Sequence, residues 1–184
     1  MKSILFTLSV LFVLPAFSMQ LGDLVIGGNG CFGSSKLIPV SNSDGRYALP
    51  IRAKINKKAG AAFERKTCNL RLPVSLNPNE KLQLINLSQV VRLVAYKGAE
   101  VKTSLSMGVV GSSSTPLNFD IKVTDEDSSV IENLKADGVI AESACGKNAM
   151  ITGNLSLLVN GSSAQAFVST GTALVTLKVV NCNQ

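Results

Sequence analysis

The stretch Lys66-Thr67-Cys68-Asn69-Leu70-Arg71-Leu72-Pro73-Val74-Ser75-Leu76-Asn77 decides the fold class, because from Cys68 onward apolar residues occupy its even positions. Cys68, Leu70, Leu72, Val74 and Leu76 stand against Asn69, Arg71, Ser75 and Asn77. Successive side chains of an extended chain point to opposite faces, so this is a strand with one face buried. Pro73 falls on the polar side and has no N–H for a ladder, which predicts an edge strand or a bulge there. Upstream, Tyr47, Leu49, Ile51, Ala53 and Ile55 repeat the pattern on odd positions, with Arg52, Lys54 and Asn56 facing the other way.

Working outward, further strands are predicted over 82–96, 101–109, 117–123, 151–159 and 167–180, separated by Gly, Asn, Asp and Ser clusters. The phase of alternation slips near Leu84 and Ile85, as a bulge in a long bent strand requires. Helical periodicity is absent after the N-terminal segment. The predicted architecture is all-β, an antiparallel β-sandwich of about seven to nine strands. Residues 125–141, which include Asp125, Glu126 and Asp127, read as a long acidic surface loop.

The first eighteen residues have the layout of a secretory signal: Lys2, an apolar run from Ile4 to Leu14, then Ala16 and Ser18 as small residues before a cleavage site. The run is shorter than the roughly 20 apolar residues of a bilayer span, and no second long one follows. The domain organisation expected is a signal peptide at 1–18, a flexible arm at 19–30 and one β-domain at 31–184. The mature chain is expected to carry no transmembrane segment and to be secreted or periplasmic. Formal charge is +6, from 18 Lys and Arg against 12 Asp and Glu; loss of Lys2 with the signal makes it +5.

Cys31, Cys68, Cys145 and Cys182 all lie in the exported part, and an even count there reads as a disulfide framework. Zinc is excluded by the absence of C-x-x-C pairs and of any histidine. Four cysteines allow three pairings, which sequence alone does not separate; the favoured one, Cys31 with Cys68 and Cys145 with Cys182, keeps each bridge within one half of the chain.

Gly30-Cys31, the run Arg65-Lys66-Thr67-Cys68-Asn69-Leu70, Pro78, Ala144-Cys145-Gly146 and Cys182 together resemble the family of secreted proteins catalogued as domain of unknown function 4360. The resemblance runs from about Gly30 to Cys182 and implies export and a β-rich disulfide-bonded fold. It implies no activity and assigns no site residue. Unlike typical members, this chain has no Trp and only Tyr47 and Tyr96 as tyrosines.

With no histidine in the chain, Ser-His and Cys-His nucleophile pairs and imidazole metal sites are absent, and no enzyme is expected. A Ser-Lys dyad has no distinguishing spacing here. Paired carboxylates would have to come from Asp120, Asp125, Glu126, Asp127, Glu132, Asp137 or Glu142, which cluster in the acidic segment. Calcium ligation by Asp125, Glu126 and Asp127 lacks a glycine-turned loop of ligand spacing, so a solvated loop is the simpler reading and no cofactor or metal is expected. The triplets starting at Asn86, Asn154 and Asn160 match the N-glycosylation acceptor and read as chance matches.

The most suggestive feature is the basic stretch Arg52, Lys54, Lys57, Lys58, Arg65, Lys66 and Arg71, opposed only by Glu64. Such a patch concentrates anionic partners. The function read from sequence is a non-enzymatic secreted or periplasmic binding domain using this face. The partners expected are an anionic polysaccharide, lipid headgroups or another envelope protein. Nucleic acid is disfavoured for want of exposed aromatic platforms. The alternative is a structural subunit of an envelope or fibre assembly, with the apolar arm Leu21 to Ile26 donating a strand to a neighbour.

Overall fold

The computed structural model describes residues 19–33, 36–41, 45–112, 114, 116–124, 127–162 and 164–183. The signal segment 1–18 and the acidic pair Asp125 and Glu126 lie outside the described residues. Thirteen strands and no helix are present among them, more strands than the sequence suggests because short pairings at the edges and breaks within long strands raise the count.

In chain order the strands are β1 (Gln20–Leu21), β2 (Val25–Gly27), β3 (Ile38–Ser41), β4 (Arg46–Leu49), β5 (Lys54–Lys57), β6 (Phe63–Ser75) and β7 (Glu80–Ala95). They continue as β8 (Glu100–Val109), β9 (Leu117–Lys122), β10 (Ser128–Glu142), β11 (Ala149–Asn160), β12 (Ala166–Thr170) and β13 (Ala173–Asn181). A six-stranded sheet runs β1-β6-β11-β8-β9, with β2 also on β6; a seven-stranded sheet runs β3-β4-β13-β7-β12-β5, with β10 along β7. Every pairing is antiparallel.

The alternation seen in sequence is the alternation of burial. Leu49, Ile51, Ala53 and Ile55 from one sheet and Cys68, Leu70, Leu72 and Val74 from the other are fully or almost fully buried. They meet Leu82, Leu84, Leu93, Leu105, Ile151 and Leu155 in one aliphatic core. Gly153 sits on the inward face of β11, where a Cβ would come within 3.0 Å of Ile51 Cδ1, so its missing side chain is what lets Ile51 approach.

The phase slip in β7 is a bulge. Asn86 adopts φ 53°, a left-handed conformation rare for a non-glycine residue. Its Oδ1 accepts a bond from the Gly138 N–H of β10 at 2.9 Å. Beyond it the inward set switches from even residues to Leu87, Gln89, Val91 and Leu93. The partner β10 is irregular at the same level, between Ala136 and Ala141.

The acidic segment is not the long loop read from its composition: 128–142 form β10, paired along β7 from Ser128 opposite Ala95 to Glu142 opposite Gln83. Backbone pairing with β7 and burial of Leu134 and Ala141 outweigh its polar composition. The N-terminal arm also differs from the flexible segment expected. Gln20 and Leu21 pair with Ser75 and Val74, and Val25 to Gly27 pair with Arg71 to Asn69. Leu21, Leu24 and Ile26 pack against the core. Pro73 lies where the arm's ladder breaks between β1 and β2, and there its carbonyl accepts the Gly22 N–H at 2.8 Å.

The bridges are Cys31–Cys68 and Cys145–Cys182. Cys31 forms a β-bridge with Ala53 beside β5, whereas Cys68 is on β6, so the first bridge ties the two sheets together. The second ties the turn after β10 to the end of β13, next to the turn in which Glu80 carboxylate oxygens accept from the Asn77 backbone and carboxamide at 3.0 Å. Disulfides of this kind fit an oxidising compartment. Among the described residues no helix is long and apolar enough to cross a membrane.

Candidate functional site

The basic stretch does not form one patch. Arg65 and Arg71 project outward from β6, while Arg52 and Lys54 project outward from the other sheet, so the sandwich holds these pairs on opposite faces. Lys66 has the inward phase of β6, is half-buried and lies 3.6 Å from Glu64. Lys58 is exposed in the turn after β5.

Lys57 is not a surface charge at all. It is only 2% exposed, and its ammonium donates to the carbonyls of Gly161 at 2.5 Å, Ala164 at 2.7 Å and Lys58 at 3.4 Å. Strand phase explains the difference. Lys57 shares the inward parity of Ile55, and its long side chain reaches the carbonyls of Gly161 and Ala164, which replace water around the ammonium.

A different constellation assembles on the outward face of the seven-stranded sheet. A groove of about 510 Å³ is lined by Phe32, Arg52, Lys54, Val90, Arg92 and Phe167, with Ser169, Thr170, Gly171 and Thr172. Ser169 stands opposite both Lys54 and Arg92, which makes these three one row across three strands and sets the two cationic residues about 10 Å apart at Cα. Phe32 arrives from the segment after Cys31, its N–H donating to the Arg52 carbonyl at 3.4 Å. The Arg52 guanidinium lies 5.2 Å and the Lys54 ammonium 5.4 Å from the Phe32 ring centroid. These are cation–π distances, and they hold the two charges in place without neutralising them.

Among the described residues no carboxylate lines this groove. Phe167 is 42% exposed and Val94, on the same outward face, 43%; both therefore offer apolar surface next to the charges. A second depression of about 360 Å³ continues along the face, where Arg46 and Lys135 accompany Asp137, Ser88 and Thr176. Cations from residues 46, 52, 54, 92 and 135 thus share one face, drawn from strands far apart in sequence.

Of the sequence-predicted site residues, Arg52 and Lys54 fall in the groove, whereas Lys57, Lys58, Arg65, Lys66 and Arg71 do not. Arg92, Phe32 and Phe167 belong to it, and the only signal for them in the sequence was the outward phase of Arg92 and Phe167 on their strands. Among the described residues no group of three His, Cys, Asp or Glu is placed to hold a metal ion.

No protein-family model matches the chain, and no curated protein matches it. Among solved structures it is similar to TmCBM61 in complex with β-1,4-galactotriose, at 12% identity over 86% of this chain and 88% of that one, TM-score 0.29. It is also similar to a CBM4 structure, at 13% identity over 86% and 95% of the two chains, TM-score 0.30. A third is the family 11 carbohydrate-binding module from Clostridium thermocellum in complex with a β-1,3-1,4-mixed-linked tetrasaccharide, at 7% identity over 92% and 93%, TM-score 0.25. Similarity at this level bears on neither ligand nor activity.

Proposed function

We propose that this protein is a non-catalytic, exported β-sandwich that binds an anionic polysaccharide on the outward face of its seven-stranded sheet. The reading extends the export and disulfide framework implied by the resemblance to domain of unknown function 4360. One observation carries it: Arg52, Lys54 and Arg92 converge with Phe32 and Phe167 in a groove that no acidic side chain lines among the described residues. Like charges held together without a counter-ion create a positive potential that an extended polyanion relieves.

The fine chemistry of the groove favours an acidic sugar chain. Guanidinium groups bind carboxylate or sulfate in a bidentate fork. The hydroxyls of Ser169 and Thr172 complement ring hydroxyls, and the exposed Phe167 ring suits the apolar face of a sugar. The strand-donating alternative loses its support, because the arm it requires is engaged with its own β6.

Calorimetry of the mature protein against polygalacturonate, with dextran and anionic phospholipid vesicles as separate arms, tests the reading. Binding to polygalacturonate is expected, and it should weaken steeply between about 50 mM and about 500 mM salt as charges become screened. Arg92→Gln should reduce affinity about tenfold or more, the value of one charge-assisted hydrogen bond. Equal binding in high salt, or binding to vesicles alone, would overturn it.

A further inference from the structure

The opposite face of the sandwich has another chemistry. Antiparallel register places Thr67, Ser156, Ser104 and Asn118 opposite one another in one row across β6, β11, β8 and β9. The next row along holds Asn69, Asn154 and Ser106. All of these project outward, spaced by about 4.8 Å between strands and about 6.7 Å along them. The result is a grid of hydroxyls and carboxamides on a rigid support.

Two shallow grooves lie over this grid. One, of about 490 Å³, includes Arg65, Ser104, Asn118 and Ser156; the other, of about 300 Å³, includes Asn69, Arg71, Ser106, Thr152 and Asn154. Among the described residues the carboxamides of Asn69, Asn118 and Asn154 are not engaged by any other protein group, so donors and acceptors stand ready in fixed positions.

At one end of the face the Lys102 charge is cancelled by two carboxylates. Lys102 reaches Glu100 at 2.9 Å and Asp120 at 3.4 Å, while Arg65 keeps its charge and its Nε donates to the neutral Ser156 Oγ at 3.3 Å. The two middle rows carry no ionisable group. A protein partner would require an apolar centre to its interface, and the outward residues of these rows supply none. Phe63, 64% exposed, stands at one end of the face on β6 and offers a ring at the margin of the grid.

We infer that this face is a second binding site, for an uncharged polysaccharide whose hydroxyls both donate to and accept from the carboxamide and serine rows. The site is separate from the cationic groove and does not depend on it. With both sites occupied, one molecule would join an acidic chain on one side to a neutral chain on the other.

The test is calorimetry or affinity electrophoresis of the mature protein with soluble uncharged polysaccharides, namely galactan, mannan, xylan and mixed-linkage β-glucan. Binding to at least one is expected, unchanged within about twofold across the salt range that abolishes polyanion binding. Asn69→Ala with Asn154→Ala, both at exposed positions, should weaken it about tenfold or more, while Arg92→Gln leaves it intact. Circular dichroism and the melting temperature check that the double variant remains folded. Should that variant unfold, Ser106→Leu, which fills the second groove from an outward position, gives the same readout. Failure of every uncharged polymer to bind would overturn the inference, as would loss of neutral binding in Arg92→Gln. Either outcome leaves the polygalacturonate result standing or falling by itself.

Discussion

The ammonium of Lys57 and that of Lys58 belong to adjacent residues, yet one is bonded to carbonyls in the interior and the other faces water. Lys57→Met removes the donor and leaves the carbonyls of Gly161 and Ala164 without it. It should cost about 1–3 kcal/mol in urea unfolding, the penalty of unsatisfied buried acceptors. Lys58→Met should change stability by less than about 0.5 kcal/mol, as a surface substitution does. Equal effects would contradict the burial. The same residues show what is legible one position at a time. The outward phase of Arg52 and Lys54 follows from alternation with Ile51, Ala53 and Ile55. The inward phase of Lys57 follows too, but only a reader who lets parity override charge would bury a lysine. Phe32 gave no such signal, because its position depends on the bridge from Cys31 to Ala53 rather than on any periodicity.

At the scale of single elements, β7 and β10 form a coupled pair bent at one level. Asn86 holds the left-handed conformation in β7 and its side chain bonds the backbone of Gly138 in β10. Asn86→Val forces a β-branched residue into that conformation and deletes the bond. A loss of about 2 kcal/mol is expected in denaturant unfolding; no loss would mean the bulge relocates freely. The slip itself was readable at Leu84 and Ile85, where two apolar residues adjoin. The strand status of β10 was not, since its apolar residues Val130, Ile131 and Leu134 break strict alternation and its pairing with β7 is set by tertiary contact.

The ends of β8 and β9 carry a pH signature. The Lys102 ammonium bonded to Glu100, with help from the Asn160 carboxamide, holds the Glu100 carboxyl below its ordinary value. The bond to Glu100 first, and then that to Asp120, raises the Lys102 ammonium. The Glu100 contribution is present above its unfolded pKa and is lost as pH falls through the lowered folded value. The Lys102 contribution is present below its unfolded pKa and is lost as pH rises through the raised one. Lys102→Met should therefore lower the melting temperature slightly near neutral pH, and the difference from the parent protein should close in acid below the carboxylate range. A difference that persists there would show the side chain acts through packing instead.

Across the whole molecule, the Cys31–Cys68 bridge ties the two sheets together and the Cys145–Cys182 bridge ties the turn after β10 to the end of β13 within one sheet, and each spans 37 positions in sequence. Loop closure of that size gives about 4 kcal/mol per bridge in the chain-entropy account. Cys145→Ala with Cys182→Ala should lower unfolding stability by an amount of that order, and an unchanged midpoint would deny the bridge its role. The layered fold was legible because alternation reports burial of one face directly. The candidate faces were not, because a face is a set of residues from several strands, and its membership depends on strand order. Arg52 and Arg71 look like members of one cluster in the chain, but two packed sheets separate them, while Arg92 joins Arg52 only through β12.

In the proposed function, positive charge acts through the face of the seven-stranded sheet and not through the linear basic stretch. Polygalacturonate affinity measured by calorimetry for two double variants, Arg52→Gln with Arg92→Gln and Arg65→Gln with Arg71→Gln, tests this directly, since both remove the same net charge. The first pair should lose about a hundredfold, from two charge-assisted contacts, and the second less than about threefold. Equal losses, or a larger loss for the second pair, would contradict the account.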